Sequence, residues 1–229
     1  MKLAIMQPYF FPYIGYYQLA FEVNEFVFFD DVNFIKKGYI NRNAILLTEN
    51  KFDFSIPVSN VSQNRTIAKH EYTGDFSAFL KTVQQAYRKA PNFECIYQLI
   101  VNVVSGPGKS VAKINASSLQ FVFDYLGIKR HFSYSSEYCV SPDLKGQDRI
   151  LEICRMSGAT DYRNAIGGRD LYDNHRFADK GITLQFIRSG DITYPQPTHL
   201  FVPNLSMIDV LMWNEPDQII NMLRRYTLE

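Results

Sequence analysis

Cysteine and long apolar runs are both scarce in this chain of 229 residues. The three cysteines, Cys95, Cys139 and Cys154, are an odd number at long spacings, which argues against a disulfide framework and against paired-cysteine metal sites. Such usage is typical of a reducing compartment. No stretch reaches the roughly 18 consecutive apolar residues of a membrane span, and the apolar run at residues 2–6 is too short for a signal peptide. We therefore expect a cytoplasmic protein without a membrane span.

The chain also has little net charge and few histidines. The formal charge is +1, and the one spaced basic cluster is Lys36, Lys37 and Arg42. Proteins that bind duplex nucleic acid usually carry a basic face, so we expect no DNA partner, although this cluster could hold phosphates. The four histidines lack HExxH or HxH spacing, and no GxSxG motif occurs. We therefore predict no metal site and no serine-hydrolase triad.

Aromatic residues, in contrast, are abundant: 18 Phe and 15 Tyr beside one Trp. Most of the Phe side chains are expected in the core. Tyrosine combines apolar area with a hydroxyl, so a Tyr-rich surface can stack on a sugar or base and also hydrogen-bond to it. With 46% apolar and 21% charged residues, the composition predicts one globular domain over residues 1–229.

Alternating strand and helix patterns predict an α/β fold. Five strand patterns alternate with helical patterns, near residues 2, 26, 131, 161 and 183. That order favours a Rossmann-like, doubly wound parallel sheet. Residues 43–58 are predicted to form a β-hairpin inserted beside the sheet, and residues 190–229 a helical C-terminal part.

The local patterns also give boundaries that a structure can test. Helices are predicted over residues 92–105, 110–126, 146–157, 169–179 and 215–226. Gly127 and Gly158 are expected to end two of them. A capping box formed by Ser206 and Asp209 is expected to open a further helix, and a short strand is expected near residues 69–72.

Ligands of doubly wound sheets bind at the carboxyl ends of the strands, and the first segment there is QPYFFPYIGYY at residues 7–17. It resembles the strand-to-helix signature of HIGH-type nucleotidyltransferases, roughly FxPxHxGH, with Tyr13 and Tyr16 standing where that signature has histidines. Those histidines stabilise charge on the transferring phosphates, and tyrosine supplies no positive charge. The likeness therefore favours the fold and weakens the case for nucleotidyl transfer.

Within this segment we separate core residues from candidate binding residues. Phe10, Phe11 and Tyr17 are interpreted as core aromatics at the start of a helix packed on the sheet. Gln7, Tyr13 and Tyr16 are interpreted as substrate-binding residues.

The second segment, residues 30–43, holds the densest polar cluster in the chain. Asp30 or Asp31 could act as a general base for a substrate amine, or hold a ribose hydroxyl. Cations could hold a diphosphate, and arginine can do so with two hydrogen bonds. The candidate catalytic residues are Asp30, Asp31 and Lys36, and the candidate binding residues are Lys37, Asn41 and Arg42. The alternative is a solvated loop with surface ion pairs of little energetic weight.

Two further segments follow the later strands. Gly167 and Gly168, ahead of a predicted helix, could form an anion site with Asn164, because free N–H groups and the helix dipole face such a ligand. An ordinary turn between a strand and a helix is the alternative. In the last segment Ser206 is most simply an N-cap, but its loop could also close over a ligand.

These segments together resemble the WbqC-like family of bacterial O-antigen and surface-polysaccharide gene clusters. The motifs that carry the resemblance are QPYFFPYIGYYQL at 7–19, FDDV at 29–32, NRN at 41–43, GGRDLYD at 167–173 and FVPNLSMIDVL at 201–211. They follow one another in the expected order over nearly the whole chain.

The resemblance implies a transferase that attaches glycine, or another small acyl group, to an amino sugar. A sugar amine must be neutral to attack, so a nearby carboxylate would help. The activated acyl donor could be a coenzyme A thioester, an aminoacyl-tRNA or an adenylate made from ATP.

Three hypotheses follow from this resemblance. The first is an N-acyl or aminoacyl transferase for a nucleotide-linked amino sugar, with Asp30 or Asp31 as base and Lys36 and Arg42 on the diphosphate. The second is an ATP-using, adenylating enzyme, and the third is a sugar-nucleotide-binding protein without catalysis.

Overall fold

The computed structural model describes all residues from 1 to 229. Its strands are β1 (Lys2–Met6), β2 (Glu25–Phe28), β3 (Arg42–Leu47), β4 (Asn50–Ser55), β5 (His131–Tyr134), β6 (Asp161–Ala165), β7 (Thr183–Ser189) and β8 (Tyr226–Leu228). Its α-helices are α1 (Ile14–Glu22), α2 (Ser77–Tyr87), α3 (Phe93–Val104), α4 (Val111–Tyr125), α5 (Gly146–Ser157), α6 (Asn174–Ala178), α7 (Met207–Trp213) and α8 (Pro216–Leu223). None of these helices is long and apolar enough to cross a membrane.

Six strands form one mostly parallel sheet in the order β5-β2-β1-β6-β7-β8. The first five in this order are parallel, and β8 pairs antiparallel with β7. The five predicted strands are therefore confirmed as parallel neighbours. The fold is mixed α/β, with the first strand of the chain at the centre of the sheet.

Helices cover both faces of the sheet. Alternate strand residues point to opposite faces, so each strand contributes side chains to both helical layers. Ala4, Phe26 and Phe28 belong to a cluster of 46 buried residues that includes residues of α1, α2, α3, α4, α7 and α8. Leu3, Ile5 and Val27, the neighbours of these residues along the strands, belong to a second cluster with residues of α5 and α6. The aromatic side chains read as core are confirmed, since Phe10, Phe11 and Tyr17 are fully buried.

The predicted hairpin is confirmed as a separate two-stranded sheet, β3 paired with β4. Its turn residues Thr48 and Glu49 both have positive φ, 49° and 63°, which is the backbone twist that a tight two-residue hairpin requires. Ala44 and Leu46 pack against Leu205, which precedes α7. The hairpin thereby joins the middle of the chain to its C-terminal part.

Several predicted boundaries are confirmed and others are corrected. The helices predicted at 92–105, 110–126 and 146–157 are α3, α4 and α5, and Gly158 adopts a left-handed conformation at the end of α5. The helix predicted at 169–179 is wrong. A 3-10 helix occupies Ile166–Leu171 and α6 begins only at Asn174, because the Asp173 side chain accepts a hydrogen bond from the His175 amide and caps it there.

Three C-terminal or short elements also differ from expectation. The last helix ends at Leu223, and residues 226–228 add an edge strand instead of more helix. In place of the strand expected at 69–72, a 3-10 helix at Ile67–Lys69 is followed by two isolated bridges, Glu71 with Ser110 and Tyr72 with Val58. Ser206 does cap α7, but Asp209 does not complete a capping box, because its carboxylate binds Tyr87, Tyr194 and Gln196 instead.

Candidate functional site

A cleft of about 640 Å³ lies between the end of β1, the connection from β2 to β3 and the hairpin. Twelve residues line it: Tyr9, Pro12, Tyr13, Lys37, Gly38, Tyr39, Arg42, Asn43, Ala44, Lys51, Asp53 and Asn204. Tyr13, Lys37 and Arg42 are the predicted site residues that the structure brings together here. A volume of this size is within the range of small-molecule sites.

A strained turn at Phe11 fixes one wall of the cleft. Phe11 has a φ of 41°, a left-handed conformation that is unfavourable for a bulky residue and persists only where the surroundings enforce it. Its amide donates to Ser118 Oγ at 3.0 Å, and its carbonyl accepts from Asn43 Nδ2 at 2.5 Å and from Ser206 Oγ at 2.7 Å. Three elements therefore hold the turn that carries Pro12 and Tyr13 into the cleft.

Three tyrosines form the aromatic side of the cleft. Tyr9 and Tyr39 have ring centroids 6.1 Å apart, and Tyr39 is 70% exposed. Burial raises the pKa of Tyr9 and of Tyr13 above the ordinary value, as do the neighbouring tyrosine hydroxyls. These phenols therefore stay protonated at neutral pH and can donate hydrogen bonds to a bound sugar or base.

Three cations also line the cleft. Lys37 and Arg42 come from the β2–β3 connection and β3, and Lys51 comes from β4. Arg42 Nη1 donates to the Lys37 carbonyl oxygen at 3.1 Å, which holds its guanidinium beside the loop. Asp53 is the only carboxylate among the lining residues, 3.9 Å from Lys51. Three cations against one carboxylate leave the cleft positive and suited to an anion.

The predicted bases Asp30 and Asp31 lie after β2 and do not line this cleft. Asp30 is buried; its Oδ1 accepts from the Ser136 amide at 3.0 Å and its Oδ2 from Ser136 Oγ at 2.9 Å. Asp31 accepts from Ser135 Oγ at 2.5 Å and forms an ion pair with Arg149. Both carboxylates thus hold the segment that follows β5.

We expect Asp30 to make stability depend on pH in the acid range. Burial raises the pKa of Asp30, against the opposing hydrogen bonds of Ser136 and Ser135, so the folded state holds this proton more tightly than the unfolded chain, whose value is about 3.9. The stabilisation from that proton is complete below the unfolded pKa and is lost as pH rises through the folded pKa. The wild type should therefore gain stability over Asp30→Asn as pH falls from 7 towards 4, measured by urea denaturation.

The exposed acid Asp143 supplies the matched control, since Asp143→Asn removes a carboxylate without a buried partner. The prediction would be contradicted if the free energy of unfolding of the wild type, relative to that of Asp30→Asn, stays constant or falls as the pH is lowered.

The remaining predicted site residues lie elsewhere or serve the backbone. Tyr16 is buried and donates to the Gln7 carbonyl oxygen at 2.7 Å. Asn41 donates to the Ile56 carbonyl oxygen at 2.8 Å, beside the hairpin. Lys36 is exposed on the loop next to Lys37 and is not among the lining residues.

The segment after β6 does not have the helix N-terminus on which its predicted anion site depended. Gly167 and Gly168 lie inside the 3-10 helix. The Asn164 side chain is buried and donates to the hydroxyls of Tyr162 and Tyr172 at 3.1 and 2.9 Å. Ser206 is buried as the N-cap of α7, which is the simpler of its two interpretations.

Sequence reasoning missed several cleft residues for an identifiable reason. Tyr9 and Tyr39 stood inside segments already singled out, and only the structure places them in the cleft. Lys51, Asp53 and Asn204 come from the hairpin and the segment before α7. The rule that ligands bind at strand ends of the main sheet cannot find residues on an inserted hairpin.

The comparisons with known proteins support one family. The model of the WbqC-like protein family matches residues 7–221. The chain is 25% identical over 215 residues to the protein named Uncharacterized protein Rv1507c of Mycobacterium tuberculosis (strain ATCC 25618 / H37Rv), covering 92% of each chain. No solved structure matches the chain.

Proposed function

This chain belongs to the WbqC-like protein family, and on that premise we propose that it is an N-acyl or aminoacyl transferase. In this proposal it attaches glycine, or another small acyl group, to a nucleotide-linked amino sugar during the biosynthesis of O-antigen or a related surface polysaccharide. The observation that carries the proposal is the cleft, which combines three tyrosines with three cations.

The three cations of the cleft would bind the diphosphate of the nucleotide sugar. Arg42 presents a planar donor pair that suits phosphate oxygens, and Lys37 and Lys51 add point charges. A free amino sugar has no phosphate groups, so the cations favour a nucleotide-linked amino sugar over a free one. The aromatic side would then take a flat or pyranose ring.

The acyl transfer would need one proton removed. The neutral sugar amine attacks the carbonyl carbon of the activated acyl donor, an N–C bond forms, and the bond from that carbon to the sulfur or oxygen of the leaving group breaks. Asp53, the carboxylate of the cleft, would accept the amine proton. The donor would be a coenzyme A thioester, an aminoacyl-tRNA or an adenylate.

We further propose that the fold is Rossmann-like. With the hairpin and β8 set aside, the five parallel strands occur in the order third, second, first, fourth, fifth along the chain. This is the order of nucleotide-binding sheets, whose ligands bind where the strand order reverses. The reversal lies beside β1, and the segment that leaves β1 lines the cleft.

We expect a nucleotide-linked amino sugar to raise the melting temperature of the protein. A ligand that binds only the folded state stabilises by about 2.7 kcal/mol at 100 times its dissociation constant. Thermal-shift assays with UDP- and dTDP-linked amino sugars, ATP and coenzyme A measure this. A shift with ATP alone would favour the adenylating alternative, and no shift with any of them would contradict the proposal.

Turnover then separates a transferase from a binding protein. Incubation with the amino sugar that binds and with glycine on each type of donor should give an amide product detectable by mass spectrometry. Asp53→Asn should lower the rate by about 10²-fold or more while binding persists. Asp30→Asn is the matched comparison, and it should lose less because Asp30 lies outside the cleft; the reverse result would return the role of base to Asp30. Binding without product would favour the non-catalytic role.

A further inference from the structure

Tyr13 occupies the space that a side chain at position 15 would need. A Cβ built on Gly15 would lie 2.4 Å from Tyr13 Cε2, 2.8 Å from Cζ and 2.9 Å from the hydroxyl oxygen. Contacts this short do not occur in proteins, so the ring of Tyr13 lies directly on the first turn of α1. Tyr13 is nevertheless 37% exposed and lines the cleft. Part of the ring therefore lies on the helix, and part lines the cleft.

We propose that Gly15 is a specificity-determining residue, whose lack of a side chain lets Tyr13 form part of a nucleoside subsite beside the cations of the cleft. This inference rests on the proposed function, which puts a diphosphate against Lys37 and Arg42. Gly15 acts through Tyr13 and touches no ligand itself, so it is a positioning residue.

The tyrosines favour a nucleoside at this end of the cleft. Tyr9 and Tyr39, with ring centroids 6.1 Å apart, lie on the same side as Tyr13, so several aromatic faces and hydroxyls converge there. Stacking of one base on an aromatic side chain strengthens binding by about tenfold or more. A base or ribose joined to the diphosphate would gain these contacts, whereas inorganic diphosphate would not.

The substitution Gly15→Ala isolates this effect because the variant should fold. Gly15 is the second residue of α1, and alanine is a better helix former than glycine. The three nearest atoms that a methyl group would meet belong to the Tyr13 ring and hydroxyl, which can move aside by rotation of the side chain. The helix should therefore remain, and the ring of Tyr13 should leave its position.

Isothermal titration with UDP and with inorganic diphosphate tests the proposal. Gly15→Ala should weaken UDP binding about tenfold and change diphosphate binding less than about twofold. Tyr13→Ala should behave the same way, and the double variant should be no weaker than Tyr13→Ala. Arg42→Ala should weaken both ligands. Equal losses for UDP and diphosphate in Gly15→Ala, or additive losses in the double variant, would overturn the role of Gly15.

Melting temperatures test the contact between Gly15 and Tyr13 without any ligand, and therefore independently of the proposed function. Gly15→Ala should raise the melting temperature by about 2–4 °C in the Tyr13→Ala background and by less in the wild type, where the ring must move. Equal shifts in both backgrounds would refute the contact itself.

Binding by the wild type separates the two proposals. If the wild type binds diphosphate and binds UDP no more tightly, the nucleoside subsite is wrong and the anion site stands. If it binds neither ligand, the proposed function fails and the subsite fails with it.

Discussion

Replacing Asp209 by alanine should lower the free energy of unfolding by about 3–4 kcal/mol, because three hydrogen bonds to a buried carboxyl group are lost and their donors are left unpaired. Asp209 is fully buried. Its Oδ1 accepts from the Tyr87 hydroxyl at 2.6 Å, and its Oδ2 accepts from the Tyr194 hydroxyl at 2.7 Å and from Gln196 Nε2 at 3.0 Å. Urea denaturation measures the loss.

The same substitution should also loosen the segment that leads to Asn204 in the cleft wall. Gln196 Nε2 donates to the Val202 carbonyl oxygen at 3.1 Å, and Gln196 Oε1 accepts from the Val202 amide at 2.8 Å. Asp209 in turn accepts a hydrogen bond from Gln196. Limited proteolysis should therefore cut residues 194–204 faster in Asp209→Ala than in the wild type. Asp191→Ala, an exposed acid before the same segment, is the matched control and should change stability by less than about 0.5 kcal/mol. An equally small loss in Asp209→Ala would mean that this network does not stabilise the fold.

Replacing Arg42 by alanine should weaken the binding of a nucleotide diphosphate by about 10–100-fold, since charge-assisted hydrogen bonds to phosphate contribute about 1.5–3 kcal/mol. Arg42 is exposed at the start of β3, so the free energy of unfolding should change little. Isothermal titration at two salt concentrations measures the effect. The affinity of the wild type should fall as salt rises, and that of the variant should fall less.

Arg88→Ala provides the control for Arg42. Arg88 is exposed at the end of α2 and does not line the cleft, so its loss changes the total charge equally without touching the site. Equal weakening by the two substitutions would show that the long-range charge of the protein, and not a contact with Arg42, attracts the ligand.

Local pattern was sufficient for most of the sheet. The five parallel strands and α3, α4 and α5 follow from periodicity that their own residues carry, and Gly158 ends α5 where its left-handed backbone is needed. Pattern failed where elements are short. The strand at 226–228 has three residues, too few for a period, and it exists because the edge of β7 is open to it.

The candidate site likewise contains residues that the sequence indicated and residues that only the folded structure brings to it. Tyr13, Lys37 and Arg42 could be selected from the sequence because they follow β1 and β2 in the chain. The hairpin contributes Lys51 and Asp53 only through folding, since Asn43 ties it to the carbonyl oxygens of Phe10 and Phe11. The capping role expected of Asp209 failed for a similar reason, as its three partners lie 13 to 122 residues away along the chain.

The sequence by itself determined the α/β class, the five parallel strands of the sheet, the hairpin and the family, because these depend on local hydrophobic period and on motifs of neighbouring residues. Only the tertiary structure decided that the hairpin closes a cleft over the segment after β1, that Asp30 and Asp31 hold the backbone beyond β5, and that Tyr13 lies on Gly15. Such facts depend on which distant side chains meet, and contact between distant residues leaves no period in a single chain.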